Sequence, residues 1–408
     1  MQNQITSTST TSHGVIVPTD EQIQDLINRG VYIIHDTDEL VDLLKSGKQL
    51  HLKLGVDVTG PLIHLGHAVV QRKIRDFQEL GHRLTLIIGD FTTIVGDHSD
   101  KTDMREDRTV EAIEADLQTY MEQFFKTVIP EMTIIRRNSE WLKPLNFNDV
   151  INLAKKFTVA QMIERENFKL RYEQGKPIRL SEFLYPLMQG YDSIALNNDI
   201  EFGGTDQLFN ILAGRHLMSE FGMKPQIVFI LKLLTGSDGR KMGKSLKNYI
   251  AVMATPDEMY FSLMSVVDEL ITQYMEYVTR IPLWQIKEYE ERMKMGENPM
   301  IFKKIMAYEI VKFYHGEDLA RKAAENFEKL VQNKDYKDVE DVVFIRKGDN
   351  IVDVVTVIAK CSRSEARRLI LQSAVEIDGN VIKDTNFNVE SGLIIKVGKK
   401  FINRINFV

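Results

Sequence analysis

The chain has 408 residues, a formal net charge of −6 and 43% apolar residues. This is an ordinary globular composition whose length suggests two or three domains. No run of 18 apolar residues occurs, so no membrane span is expected, and the lone Cys361 excludes an intrachain disulfide or a four-cysteine zinc site and favours a reducing compartment.

Residues 1–18 (MQNQITSTSTTSHGVIVP) are polar and Ser/Thr-rich, lack the apolar core of a signal peptide and read as a loose tail. LHLKLGV (50–56) reads as a buried strand. GHAVVQRKIRDFQELGH (66–82) has helical apolar spacing and stops at a glycine. LTLIIGD (84–90) and PQIVFIL (225–231) are further short apolar runs. Strands alternating with helices over the first 245 residues predict a parallel sheet flanked by helices, with ligands beyond the carboxyl ends of the strands. From about 255 to 335 the chain is rich in Met, Glu, Lys, Leu and Tyr and reads as helices. The charged segment 331–350 reads as a linker. Beyond it, Ser362-x-x-Glu365 predicts a capping box opening the basic helix RSEARRLIL, and Asp378-Gly379 predicts a β-hairpin. From Val355 onward nine Lys/Arg face five acids, a surplus of four, which leaves −10 on the rest of the chain. A basic tail on an acidic body suits either an anionic macromolecular partner or a solvated face.

TGSDGRKMGKS (235–245) ends as a phosphate loop ends. That loop needs glycine five residues before Gly243, and position 238 is aspartate, so the spacing fails. What remains is two lysines and a hydroxyl, which suit either a clamp closing on phosphate during reaction or an exposed turn. His64-Leu65-Gly66-His67 lies between the strand 50–56 and the following helix. Free amides and the positive dipole end of a helix favour phosphate there, Gly66 lets a flat base approach, and both imidazoles can donate to phosphate oxygens. Zinc is the rival reading, without HExxH or a third ligand nearby. Tyr185, Gln189 and Asp192, spaced i, i+4, i+7, share one helix face opposite Phe183, Leu184, Leu187, Met188 and Tyr191. The polar stripe suits a pocket for a small polar ligand or simply faces water. Gly203-Gly204-Thr205-Asp206-Gln207 permits close approach of a ribose whose hydroxyls Asp206 can bind, or is ordinary turn chemistry.

HLGH near the front and KMGKS after the last strand resemble the paired signatures of class I aminoacyl-tRNA synthetases, HIGH and KMSKS. KLGVDVTGPLIHLGH, LIIGDFTTIVGD, LYPLMQGYDSIALNNDIEFGGTDQ and KMGKS resemble, in order, the series of bacterial tyrosyl-tRNA synthetases with a short C-terminal RNA-binding domain. Residues 342–402 resemble the RNA-binding module named after small-subunit ribosomal protein four. The resemblance implies a Rossmann-like, doubly wound α/β domain (19–250), a helical domain (251–330), a linker (331–341) and a small α+β RNA-binding domain (342–408).

It also implies activation of L-tyrosine by ATP with Mg²⁺, transfer to tRNA(Tyr), a cytoplasmic homodimer, and no tightly bound cofactor or resident metal. For tyrosine it points to Lys53, Asp57, Asp97, Tyr185, Gln189, Asp192 and Gln207, with Asp192 accepting from the phenol and Asp97 facing the ammonium. For ATP it points to Gly55, Thr59, His64, Gly66, His67, Gly204, Asp206 and Lys244. Phosphate stabilisation falls to His64, His67, Lys241, Lys244, Ser245, Lys101 and Arg105. The tRNA falls to Arg363, Arg367, Arg368, Lys399 and Lys400. Three departures stand out: Lys53 occupies a position where many members have a tyrosine against the phenol, Val58 replaces a proline, and Gly243 replaces the central serine of the lysine signature. Lysine at 53 could bond the same phenol oxygen. A tryptophanyl-tRNA synthetase and a catalytically silent RNA-binding relative are the rivals; Asp192 and the basic tail domain oppose the first, the intact nucleotide and amino-acid residues the second.

Overall fold

The computed structural model describes residues 14–57, 62–96, 110–243, 246–332, 342–346, 348–398 and 401–407, with backbone alone for residues 94 and 110–115. Thr59, Asp97, Lys101, Arg105, Lys244, Ser245, Lys399 and Lys400 lie outside the described residues. The chain forms two compact units, one running to Leu234 and including Glu276–Val278, the other made of Thr235–Met275 and Thr279 onward.

The first unit is built on a six-stranded sheet. In chain order its strands are β1 (Val31–His35), β2 (His51–Val56), β3 (Arg83–Ile88), β4 (Thr133–Arg137), β5 (Ile200–Gly204) and β6 (Ile227–Leu231). Their spatial order is β1-β6-β5-β2-β3-β4, with β1 antiparallel to β6 and every other pair parallel. The three apolar runs form β2, β3 and β6 because each is covered on both faces, as parallel strands require; every residue of β6 is buried. The edge strands β1 and β4 escape a sequence reading because their half-exposed residues (VYIIH, TIIRR) carry no long apolar run. Phe77, on the helix Leu65–Glu79, packs edge-on against Phe202 and Phe229 with ring centroids 5.2 and 5.8 Å away, fixing that helix to β5 and β6.

The chain winds from β2 to one side through β3 and β4, then crosses to β5 and β6 on the other, so the winding reverses between β2 and β5. Such a switch point is where an open α/β sheet forms a crevice. The ladder accentuates it. β2 stays paired with β3 as far as Val56↔Ile88, but with β5 only at Leu52↔Ile200 and Lys53↔Glu201. Beyond Lys53, β2 and β5 part.

The second unit contains the expected helical stretch, including Pro256–Met264, Leu283–Lys294, Pro299–His315 and Glu317–Phe327. A five-stranded sheet follows: β7 (Val342–Ile345), β8 (Val375–Ile377), β9 (Asn380–Val381), β10 (Ile394–Val397) and β11 (Phe401–Phe407), in the order β7-β11-β10-β8-β9. The expected hairpin joins β8 to β9 at Ile377↔Asn380, with Asp378 and Gly379 at φ +48° and +81°, the positive pair that a tight two-residue turn demands. The basic helix spans Arg363–Leu371. Its capping box is only half made: Ser362 Oγ accepts from Glu365 N at 3.2 Å, but the Glu365 carboxylate turns to Arg368 instead of back to the cap.

Candidate functional site

The turn after β2 closes on itself at the helix start. His64 caps the helix Leu65–Glu79, its Nδ1 accepting from Gly66 N at 3.2 Å, while His67 Nδ1 accepts from His64 N at 3.2 Å. The rings stack with centroids 3.9 Å apart, His64 buried and His67 exposed. With both Nδ1 atoms accepting, a neutral imidazole carries its proton on Nε2, so each ring presents a donor on its far side. Two donors at the positive end of a fifteen-residue helix suit an anion. Among the described residues no group of three or more His, Cys, Asp or Glu is arranged to hold a metal ion.

Around the switch point the expected residues gather. Asp57, just past β2, accepts from Thr92 Oγ1 at 3.0 Å and from Tyr185 OH at 2.8 Å, so Tyr185 and Asp57 act as one unit. Gly55 is exposed, and a Cβ there would meet nothing within 4 Å, leaving its backbone open to a ligand. After β5, a single 3-10 turn (Thr205–Gln207) brings Asp206 against Gly204, where a Cβ would lie 2.6 Å from Asp206 Oδ1. Gln207 donates to Asp206 at 3.3 Å and accepts from Asn210 at 3.1 Å.

The helix Tyr185–Leu196, called the pocket helix below, does not turn its polar stripe to water. Tyr185 and Asp192 are buried and Gln189 half-buried. Phe183 and Leu184 belong to the preceding 3-10 turn (Leu180–Leu184), not to the helix's opposite face, because Pro186 sits in the first turn of the helix proper. Asp192 accepts from Trp141 Nε1 at 2.7 Å. Burial pushes its carboxyl up to about 7, against the pull of the Lys53 ammonium and the Trp141 indole. Lys53, expected at the phenol, lies in the first unit's interior. It is fully buried, pairs with Glu201 at 3.0 Å and donates to Ser193 Oγ at 2.6 Å and Gln189 O at 3.1 Å. Those three bonds use every N–H an ammonium has. Trp141, Ser193 and Glu201 carried no sequence signal, since each is defined by a partner far along the chain.

In the second unit, Thr235 and Lys241 form an antiparallel bridge across the turn TGSDGRK. Buried Asn248 holds that turn and the next together: its amide donates to Asp238 Oδ1 (2.7 Å) and Lys241 O (3.1 Å), and its side-chain oxygen accepts from Gly243 N (2.9 Å). Asn248 and then Arg240 hold the Asp238 carboxyl down at about 2. Asp238, which defeats the phosphate-loop spacing, is thus a structural acceptor. Lys241 is exposed on this braced turn. On the helix Arg363–Leu371, Arg363 pairs with Asp353, Arg368 pairs with Glu365 at 2.5 Å, and Arg367 is exposed.

Residues 45–332 match the family described as tRNA synthetases class I (W and Y), and residues 351–395 match the S4 domain. The chain is 48% identical over 392 residues to a tyrosine–tRNA ligase of Thermotoga maritima, covering 95% of this chain and 98% of that one. It is 44% identical to a tyrosine–tRNA ligase of Carboxydothermus hydrogenoformans, covering 96% of this chain and 100% of that one. In fold it is similar to a C-terminally truncated mitochondrial tyrosyl-tRNA synthetase of Aspergillus nidulans (TM-score 0.62, 22% identity, 76% of this chain and 94% of that one). It is also similar to the Archaeoglobus fulgidus tyrosyl-tRNA synthetase complexed with L-tyrosine (TM-score 0.58, 22% identity, 74% and 99%).

Proposed function

The chain belongs to the tyrosyl-tRNA synthetase family of class I, and from that premise we propose how its residues divide the work. It is a tyrosine–tRNA ligase: L-tyrosine is activated by ATP to tyrosyl-adenylate with release of pyrophosphate, and the acyl group passes to the 3′ end of tRNA(Tyr). The tyrosine carboxylate attacks the α-phosphate in line. It is already a nucleophile, so the first step needs no general base, and the enzyme contributes position and charge.

Asp192 receives the phenol hydroxyl, and Asp57, Asp97, Tyr185 and Gln189 surround the ammonium, with Gln207 at the carboxylate. Gly55, Thr59, Gly66, Gly204 and Asp206 hold the nucleoside. His64 and His67, through Nε2, stabilise the phosphates, as do Lys101, Arg105, Lys241 and Lys244 with Ser245. Mg²⁺ enters with ATP as part of the substrate. Arg363, Arg367, Arg368, Lys399 and Lys400 meet the tRNA backbone. The working domains are 19–250 for catalysis, 251–330 as the helical domain and 342–408 for RNA, with 331–341 as linker.

The protein works as a cytoplasmic homodimer. Exposed large apolar side chains recur from β4 to the start of the pocket helix, among them Ile134, Ile135, Phe147, Val159, Tyr172 and Leu180, which supports a second copy as their cover. No helix among the described residues is long and apolar enough to cross a membrane.

The observation that carries the site assignment is the parting of β2 and β5, with Gly55 and Asp57 on one lip, Gly204 and Asp206 on the other and buried Asp192 nearby on the pocket helix. A site built to bond a hydroxyl rejects the analogue that lacks it, because a buried polar group is left unpaired. ATP–pyrophosphate exchange with each of the twenty amino acids should show tyrosine alone; exchange driven by tryptophan, or by none, would overturn the assignment.

A further inference from the structure

Beside the proposed tyrosine seat lies a buried polar cluster whose central pair, Lys53 and Glu201, has no part in the reaction. Lys53 and Glu201 are cross-strand partners at the last rung before β2 and β5 part, and their paired side chains are 0% and 1% exposed. Two of the three ammonium N–H bonds go to the pocket helix, at Ser193 Oγ and the Gln189 carbonyl. Glu201 accepts from Ser193 Oγ at 3.1 Å, Gln226 Nε2 at 2.5 Å and Gln189 Nε2 at 3.3 Å, and Asn198 in turn donates to Gln226 at 2.8 Å. Gly214 makes room for the cluster, since a Cβ there would lie 2.9 Å from Ser193 Oγ and 3.1 Å from Gln226 Nε2. A buried ion pair is a poor source of stability, because desolvation offsets its attraction. Its use here is geometric. One tie point is the pocket residue Gln189 itself, and the other, Ser193, adjoins Asp192.

Resting on the reading that the pocket helix lines the tyrosine seat, we propose that Lys53 is a positioning residue that governs tyrosine selection without touching tyrosine. It ties the pocket helix to β2 and, through Glu201, to β5, and sets a positive charge against which Asp192 serves as an anionic acceptor. The groups acting on Asp192 are Lys53 from β2, Glu201 from β5, and Trp141 and Asn138 from the segment after β4. Of these, Lys53 supplies the positive charge. Removing it raises the pH at which Asp192 loses its proton, so productive tyrosine binding then requires a higher pH.

The test uses full-length protein and exchange kinetics with tyrosine and phenylalanine from about pH 6 to about pH 9, bracketing a carboxyl near 7. The charge-balanced double variant Lys53→Met/Glu201→Gln should raise the tyrosine KM about tenfold and leave the ATP KM within about twofold. Its acid limb of kcat/KM for tyrosine should move to higher pH, because the lost Lys53 acts on Asp192 more strongly than the lost Glu201 does in the opposite direction, and its preference over phenylalanine should shrink. Ser193→Ala, which keeps both charges and cuts the two bonds Ser193 makes to Lys53 and Glu201, should raise the tyrosine KM a few-fold with the acid limb in place; Lys53→Arg should keep the limb where the wild type has it. If circular dichroism shows the double variant unfolded, the other two decide. Unchanged tyrosine KM, preference and acid limb in the double variant would overturn the proposal. So would a silent Ser193→Ala beside a double variant that loses preference with its limb unmoved, the pattern of a direct phenol contact. Asp192→Asn separates the two readings: if it too is silent the seat itself is wrong, and if it alone is damaging only the role of Lys53 falls.

Discussion

Lys53 is wholly buried with its three N–H bonds engaged, whereas Arg363, Arg367 and Arg368 stand exposed on one short helix, two of them paired with carboxylates of their own domain. The buried charge works at bond length on a fixed neighbourhood and is little screened by salt. The exposed charges work by number. Surface pairs of that kind contribute little to stability, so a polyanion can displace the carboxylates cheaply. In the proposed division of work, one region discriminates a single hydroxyl and the other holds a backbone that repeats.

The widest test of this contrast is Asp192→Asn, which keeps shape and removes the anionic acceptor. We expect kcat/KM for tyrosine in ATP–pyrophosphate exchange to fall about 100-fold, the scale of a lost hydrogen bond to a buried charged group, with ATP KM unchanged. Removal of residues 342–408 should give the mirror image: tRNA charging down by about tenfold or more through lost phosphate contacts, exchange within about twofold. Charging at full rate by the truncated protein would erase the contrast. Lys241→Ala, or Lys244→Ala, should slow adenylate formation by about tenfold or more in stopped-flow activation while tyrosine binding holds, as expected for a group that meets only developing charge. Arg367→Ala should lower charging only a few-fold and reduce the slope of log rate against log salt by about one. The smallest expected effect is on stability. Asp192 has its carboxyl raised to about 7, so the fold favours its neutral form. That preference is fully present below the ordinary carboxylate range and is lost as pH rises through about 7. Asp192→Asn should therefore raise Tm by a few degrees at about pH 8.5 and by less at about pH 5, read by calorimetry.

Much of this was legible from local patterns. His64 and His67 cap one another within four residues, and Asp378-Gly379 sets its own turn, so neither needs the rest of the chain. The sheet was legible where strands are covered on both faces, and β1 and β4 were not, because an edge strand needs only half a face. Long-range pairings left no trace. Trp141 meets Asp192 across 51 residues and Lys53 meets Ser193 across 140, and a lysine inside an apolar strand has no pattern that names its partner. Asn248 was hidden differently: it lies three residues past Ser245, but asparagine beside a glycine-rich turn reads as more turn.

The Lys53↔Glu201 rung also sets an order of events during synthesis. When β2 and β3 leave the ribosome they can pair at once, but the lysine has no counter-ion until β5 follows. Strand β1 waits longer, for β6. A nascent chain halted before residue 200 would hold a half-sheet with an apolar open edge and a lysine without its counter-ion, and such a piece should stay loose and chaperone-bound rather than fold as a stable unit. The catalytic sheet is thus closed late and from its middle, by the same rung that later holds the pocket helix in place.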